Sequence, residues 1–117
     1  MINFKRNTVE NQTQTLQELR ASIKEIDAMR SIKDITAAER ETLELTAVTL
    51  RDAERVCIAK MQNQFIKDME SQTANLNAQA KVIRARVTKM NKFPKVLDNI
   101  ETIIKTAVKI VIAIAKW

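Results

Sequence analysis

Apolar residues recur along the chain at the spacing of helices that pack lengthwise. Over the first thirty residues they fall close to a seven-residue repeat, which is typical of a narrow seam between two helices. The pattern predicts a first helix over about 8–31, beginning near Thr8. Its seam consists of Leu16, Leu19, Ile23 and Ile26.

A second helix is signalled by Thr36 and Glu39, which stand at capping-box spacing before an apolar run. No glycine or proline follows until Pro94, and the apolar positions repeat every eleven residues. We therefore predict one continuous helix over about 37–92, roughly 80 Å long. The polar run 71–77 is its weakest stretch. The predicted seam is Leu43, Leu50, Ile58, Met61, Phe65, Met69, Leu76, Ile83 and Val87.

Pro94 predicts the end of that helix at Phe93 and the start of a third helix over about 95–116. On a helical wheel this third helix is strongly amphipathic. Its polar face carries Lys105, Lys109 and Lys116. The apolar face, a candidate membrane or assembly face, contains Val96, Leu97, Ile100, Ile103, Ile104, Val108, Ile110, Val111, Ile114 and Trp117.

These three helices predict an all-α fold and one helical domain over 1–117. Helix 1 and helix 3 would fold back on the two halves of a very long helix 2, giving a coiled-coil-like rod only two helices thick. Such a rod buries too little apolar surface to offset the chain entropy. We therefore expect an oligomeric bundle, formed by further copies of the chain or by a helical partner chain.

Composition argues against an enzyme. The chain has no glycine, which excludes the phosphate-binding and dinucleotide-binding glycine loops, and no histidine, the commonest general base and metal ligand. Its carboxylates stand at ordinary helical ion-pair spacings. We expect no catalytic residue, no metal and no cofactor. The first ten residues lack the apolar segment of a cleavable signal peptide, so we expect a cytoplasmic or leaderless exported protein, with membrane association open.

Positive charge is concentrated before the third helix. The net charge is +6, and residues 71–95 hold six bases and no acid. A solvated helix face explains such a run, and so does an anion-binding surface for lipid or nucleic acid. The adjacent amphipathic helix favours an anionic membrane over nucleic acid. The candidate anion-binding residues are Lys81, Arg84, Lys89, Lys92 and Lys95.

Three functions remain open on the sequence alone. The first is membrane binding through the C-terminal amphipathic helix, as a pore-forming subunit such as a toxin, or as a membrane-remodelling subunit. The second is a structural subunit of a helical filament or bundle, in a secretion apparatus or a virion, with that helix buried in the assembly. The third is a small coiled-coil regulator that binds a protein or nucleic acid.

Overall fold

The chain is all-α, as the sequence predicts. The computed structural model describes the backbone of residues 4–62, 69–90 and 99–117, and the side chains of 11–62, 71–89 and 100–117. No strand occurs in these ranges. They contain four helices: α1 over Phe4–Arg30, α2 over Ala37–Met61, α3 over Met69–Met90 and α4 over Asn99–Ala115.

The four helices form an antiparallel bundle measuring 51 × 26 × 22 Å. Each helix packs against the next in the sequence, α4 also packs against α1, and α2 meets α4 across the bundle, whereas α1 and α3 are not in contact. Ion pairs show that α1 and α2 run in opposite directions: Arg20 lies 3.0 Å from Glu54, and Asp27 lies 2.8 Å from Arg51. Helices α2 and α4 therefore form the short diagonal of the bundle, and α1 and α3 occupy its far corners.

The prediction of one continuous helix over 37–92 is wrong. Helix α2 ends at Met61, and α3 begins at Met69 and packs back along it, so that Arg86 lies 3.5 Å from Glu41. No glycine marks this end because none is needed: Gln62 ends α2 at φ −90° and donates its N–H to the Ile58 and Lys60 carbonyls. The polar run 71–77 lies inside α3.

The predicted three-helix rod is corrected accordingly to a four-helix bundle. Because the chain folds back on itself once more than expected, a single copy encloses a core, and the argument that a second chain must complete it no longer follows. Helix α1 begins at Phe4, about one turn before Thr8. The corner expected at Phe93 and Pro94 lies outside the described residues.

The predicted start of α2 at Ala37 is confirmed. The Glu39 N–H donates to the Thr36 hydroxyl oxygen at 3.1 Å, and the Thr36 N–H donates to the Glu39 carboxylate at 3.1 Å. Arg40, in the first turn, donates to the carbonyls of Arg30 and Ile32 at 3.2 and 3.4 Å. These carbonyls lie at the end of α1, where a glycine commonly helps to complete the hydrogen bonding. A cation from α2 takes that place here.

The core is centred on α2 and α4, each of which packs against the other three helices. Helix α2 buries small and hydroxylated residues beside its leucines. The hydroxyls of Thr42, Thr46 and Thr49 donate to carbonyls one turn earlier in the same helix, at 2.7–2.8 Å. Their polar groups are therefore satisfied without a bond to another helix. The large side chains with 0–1% exposure in the core are Leu19, Ile26, Leu43, Leu50, Val56, Leu76, Ile83, Ile100, Ile104, Val111 and Ile114.

Candidate anion-binding groove between α3 and α4

The bundle has two sides of different charge. The described side chains of α3 and α4, residues 71–89 and 100–117, include seven bases and one acid, Glu101. Those of residues 11–62, which contain most of α1 and all of α2, include eight bases and nine acids. The net positive charge of these described side chains therefore lies on the α3–α4 side, which we call the basic side.

A groove of about 330 Å³ runs between α3 and α4 on this side. Three of its lining residues are apolar and almost fully buried, with exposures of 3%, 0% and 3% for Val87, Ile104 and Val108. The rim carries the cations Arg84, Lys105 and Lys109, and Thr88 completes the lining. The groove thus combines an apolar floor with a cationic rim.

The three rim cations are not equally neutralised. Lys105 lies 2.6 Å from the Glu101 carboxylate, one turn earlier in α4. Neither Arg84 nor Lys109 forms an ion pair within the described residues. The Thr88 hydroxyl donates to the Arg84 carbonyl at 3.0 Å, so it is already hydrogen-bonded. The rim therefore carries more positive charge than its own carboxylate balances.

The groove brings together two sets of residues that the sequence offered separately. Arg84 belongs to the predicted anion-binding set, and Lys105 and Lys109 to the predicted polar face of the last helix. Of the other anion-binding candidates, Lys81 and Lys89 are exposed on α3, whereas Lys92 and Lys95 lie outside the described residues. Lys116 is exposed near the end of α4 and does not line the groove.

The candidate membrane or assembly face of α4 lies inside the bundle. Of its members, Ile103 is half-buried and packs against the core, and Trp117 is exposed. Val96 and Leu97 lie outside the described residues. The rest are buried in the core shared with α1, α2 and α3: Ile100, Ile104, Val108, Ile110, Val111 and Ile114.

The candidate self-association seam also packs within one chain. Leu16, Ile23 and Met61 pack against the core, and Ile58 is half-buried. Phe65 and the side chain of Met69 are not described. The remaining members are buried core residues: Leu19, Ile26, Leu43, Leu50, Leu76, Ile83 and Val87.

Sequence reasoning missed a second polar cluster, where the end of α2 meets the end of α4. The Lys60 ammonium donates to backbone oxygens of Ile114, Ala115 and Trp117. Burial lowers the pKa of Lys60 below its ordinary value and raises the pKa of the Cys57 thiol, one turn earlier. The signal in the sequence that could have indicated this cluster was Lys60 itself, which lies near the end of α2, after buried positions that are mostly apolar.

Two classes of site are not found among the described residues. Within residues 4–62, 69–90 and 99–117, no helix combines the length and apolar content that a membrane crossing requires. In the same parts of the chain, no group of cysteine and carboxylate side chains could hold a metal ion.

Fold and surface together define an antiparallel four-helix bundle with one basic side and a cationic groove. No known protein family, curated protein or solved structure matches the chain.

Proposed function

We propose that this is a non-enzymatic protein that binds anionic membranes through its basic side and uses α4 as an interfacial helix. The observation that carries the proposal is the excess of seven bases over one acid among the described residues of α3 and α4, beside the most apolar helix of the bundle. Of these bases, only Arg86 is paired with an acid of α2, Glu41. Proteins that act at lipid surfaces typically have both a basic surface and an amphipathic helix with a wide apolar face.

Docking requires no rearrangement of the bundle. Lys81, Arg84, Lys89 and Lys109 are exposed on one side, where an anionic leaflet can meet them. Each basic residue close to an anionic leaflet contributes about 1 kcal/mol, and this attraction weakens with salt. The closed bundle is therefore the form that first meets the membrane.

Contact between the apolar face of α4 and acyl chains requires α4 to separate from the other helices, because that face is buried in the core. The described helix has 17 residues, equivalent to about 26 Å, which is shorter than a hydrocarbon core of about 30 Å. A helix of this length fits an orientation along the interface better than one across the bilayer. The proposal therefore favours membrane remodelling over a pore.

The docking step is tested by co-sedimentation with anionic and zwitterionic vesicles at low and high salt. We expect salt-sensitive binding to anionic vesicles alone. The double variant Lys81→Glu/Lys89→Glu changes the basic side outside the groove and lowers this affinity by about tenfold or more. The control Lys24→Glu/Lys33→Glu makes the same change in net charge on exposed residues at α1 and the turn after it. Equal losses in both variants, or no binding by the full chain, would refute the proposal.

Nucleic-acid binding is measured with the same variants and a short DNA duplex. Salt-sensitive binding of DNA, with no binding of anionic vesicles, would replace membrane binding by a nucleic-acid regulator as the function. Binding of vesicles without DNA is the result expected here, because the groove is floored by apolar residues and no aromatic side chain is described beside it.

The insertion step is tested with Trp117, the only tryptophan of the chain. It is exposed at the end of α4, so entry into the interface shifts its fluorescence to shorter wavelength. Dye release from the same vesicles distinguishes a pore from surface binding. We expect the spectral shift with little dye release, and vesicle binding without a shift would remove α4 from the proposal.

A subunit role in a helical assembly is the second candidate. The observation that favours it is the exposure of Val48 and Val82, at 54% and 47%. Val48 is two turns from Glu41 on α2, and Val82 one turn from Arg86 on α3, so both lie on the side of the Glu41–Arg86 ion pair. This places a small apolar patch on the outside of α2 and α3, away from the groove.

Sedimentation velocity over a range of protein concentrations tests the subunit role. A defined oligomer that dissociates in Val48→Glu or Val82→Glu, and that ignores vesicles, would favour the assembly. The exposed substitution Val48→Thr is a matched control that keeps the shape of the side chain. A monomer at all concentrations would argue against self-assembly.

A further inference from the structure

We infer that the groove between α3 and α4 binds the phosphate monoester head of a single anionic amphiphile from the membrane. The first carbons of its chain would lie against the alkyl stems of the rim cations, above the floor that Val87 and Val108 form. This inference deepens the proposed function and rests on it, because the basic side is the surface held to meet the lipid. It adds a particular ligand class and a site with defined stoichiometry.

Charge complementarity selects a dianion. Arg84 and Lys109 approach the groove from two different helices, and neither has an ion-pair partner in the described part of the chain. Lys105 is paired with Glu101, so it adds a donor but little net charge. A phosphate monoester carries about −1.5 to −2 charges at neutral pH and three acceptor oxygens. It therefore matches two unneutralised cations, whereas a phosphate diester brings one charge.

The lining of the groove selects an amphiphile over a free phosphate. Below the rim lie three apolar side chains, and the alkyl stems of the long cations cover apolar surface while their charged heads reach solvent. The exposed lining of the groove is therefore mainly the alkyl stems of Arg84, Lys105 and Lys109, since the floor is already 0–3% exposed. Inorganic phosphate would leave these stems in contact with water, and an alkyl group attached to the phosphate would cover part of them.

The depth of the groove limits how much of the ligand enters. Val87, Ile104 and Val108 are only 0–3% exposed, so they form a shallow floor and not an open channel. The volume of about 330 Å³ accommodates a head group and a short length of chain. The remainder of the chain stays in the bilayer. The site thus recognises a lipid head in place and does not extract the whole molecule.

The test titrates the full chain with dihexanoyl phosphatidic acid, held below its aggregation concentration, by calorimetry and by amide NMR shifts. We expect one ligand per chain and shifts centred on residues 84–88 and 104–109. The comparison ligands are dihexanoyl phosphatidylcholine, which has the same chains and a zwitterionic head, and inorganic phosphate. Both should bind at least about tenfold more weakly, because each lacks one half of the match.

Variants of the rim assign the site. Arg84→Glu and Lys109→Glu should each weaken binding by about five- to tenfold, whereas Lys24→Glu, the same charge change on α1, should not. All three positions are exposed, and circular dichroism confirms that the variants remain folded. Equal weakening by Lys24→Glu would indicate general attraction to a basic protein and would overturn the site.

The experiments distinguish an error in the groove inference from an error in the proposed membrane function. Vesicle binding that depends on Lys81 and Lys89, without binding of the soluble phosphatidic acid, would overturn the groove and leave the membrane function. Equal binding of phosphatidylcholine or of inorganic phosphate would also overturn it. Loss of vesicle binding altogether would overturn the proposed function, and binding of the soluble amphiphile in that case would identify a soluble ligand as the occupant.

Discussion

The Lys60 ammonium nitrogen lies 3.0 Å from the backbone carbonyl oxygen of Ile114 and ties the end of α2 to the end of α4. The Trp117 backbone oxygen is 3.3 Å from the same nitrogen. The last carbonyls of a helix have no partner within it and carry partial negative charge. In a chain without glycine, a cation from the neighbouring helix satisfies them, as Arg40 does at the end of α1.

Removing this cation should destabilise the bundle. In Lys60→Met the alkyl stem is retained and the donor is lost, so the Ala115 and Trp117 oxygens lose this partner and the Ile114 carbonyl keeps only its bond from the Trp117 N–H. We expect the free energy of unfolding in urea to fall by about 1–2 kcal/mol, with faster amide exchange at 112–117. Lys24→Met, an exposed lysine on α1, is the control. An unchanged unfolding midpoint would mean that water replaces the ammonium without cost.

Cys57 should be protected from thiol reagents in the folded protein. Its side chain is fully buried, and burial, opposed by the nearby Arg20 charge, raises its pKa above the ordinary 9.0. We expect a disulfide reagent at pH 8 to react at least about a hundredfold more slowly with the native protein than with the unfolded chain. Rapid reaction of the native protein would show that the thiol is exposed in solution.

The same thiol should make stability depend on pH. Because the pKa of folded Cys57 is raised, its contribution to stability is present in full below pH 9.0, the unfolded value, and is lost as the pH rises through the folded pKa. The stability difference between the wild type and Cys57→Ala, from urea unfolding, should be constant below pH 9 and shift against the wild type above it. Lys60 is present in both proteins, and its attraction to the Cys57 thiolate, which Cys57→Ala also removes, is part of the measured difference. A constant difference up to pH 10.5 would contradict the shift.

The reversal of the chain between α2 and α3 is measurable as a distance. Spin labels at positions 41 and 86, in a Cys57→Ser background, should lie about 20 Å apart or closer, because neighbouring helices pack with axes 8–10 Å apart. One continuous helix would separate the same positions by about 68 Å. Labels at 41 and 55, both within α2, give a reference distance of about 21 Å in either case.

Helix α4 should prove to be part of the core and not a loosely attached segment. Ile104 is completely buried, and Ile104→Ala should lower the free energy of unfolding by about 2–5 kcal/mol, since it leaves a cavity. Thr102→Ala, on the exposed side of the same helix, should change it by less than about 0.5 kcal/mol. Similar small effects at both positions would indicate that α4 leaves the bundle in solution.

Local signals predicted the ends and faces of helices well where they had a short-range cause. Thr36 and Glu39 determine the start of α2 by bonding to each other. The two-sided character of α4 follows from the helical spacing of its apolar and charged residues, and Lys105 and Lys109 are exposed opposite the buried Ile104.

The path of the chain could not be derived in the same way. The end of α2 at Met61 has no glycine or proline, and Gln62 keeps a negative φ that any residue adopts. The eleven-residue spacing of apolar positions continued past Met61, because α2 and α3 both bury an apolar face. The seam on α2 was also predicted too narrow: Glu54 is at its edge, paired with Arg20, while Ala53 and Val56 are buried because three helices surround α2.

The candidate groove was predictable in its parts but not as a unit. Arg84 stood out in a run of bases and Lys109 on a helical wheel. Their meeting depends on α3 packing antiparallel to α4, which no short-range pattern specifies. The contact of Lys60 with the end of α4 joins residues 54 positions apart and has the same origin.

The unequal division of charge between the two sides gives the molecule a permanent electric dipole across its width. Near a negatively charged plane this dipole produces a torque that rotates the bundle until α3 and α4 face the plane. At physiological salt the field of the plane fades within about 8 Å, whereas the bundle is 26 and 22 Å across. The trailing helices therefore remain outside the field, and the acids among them do not oppose the final approach.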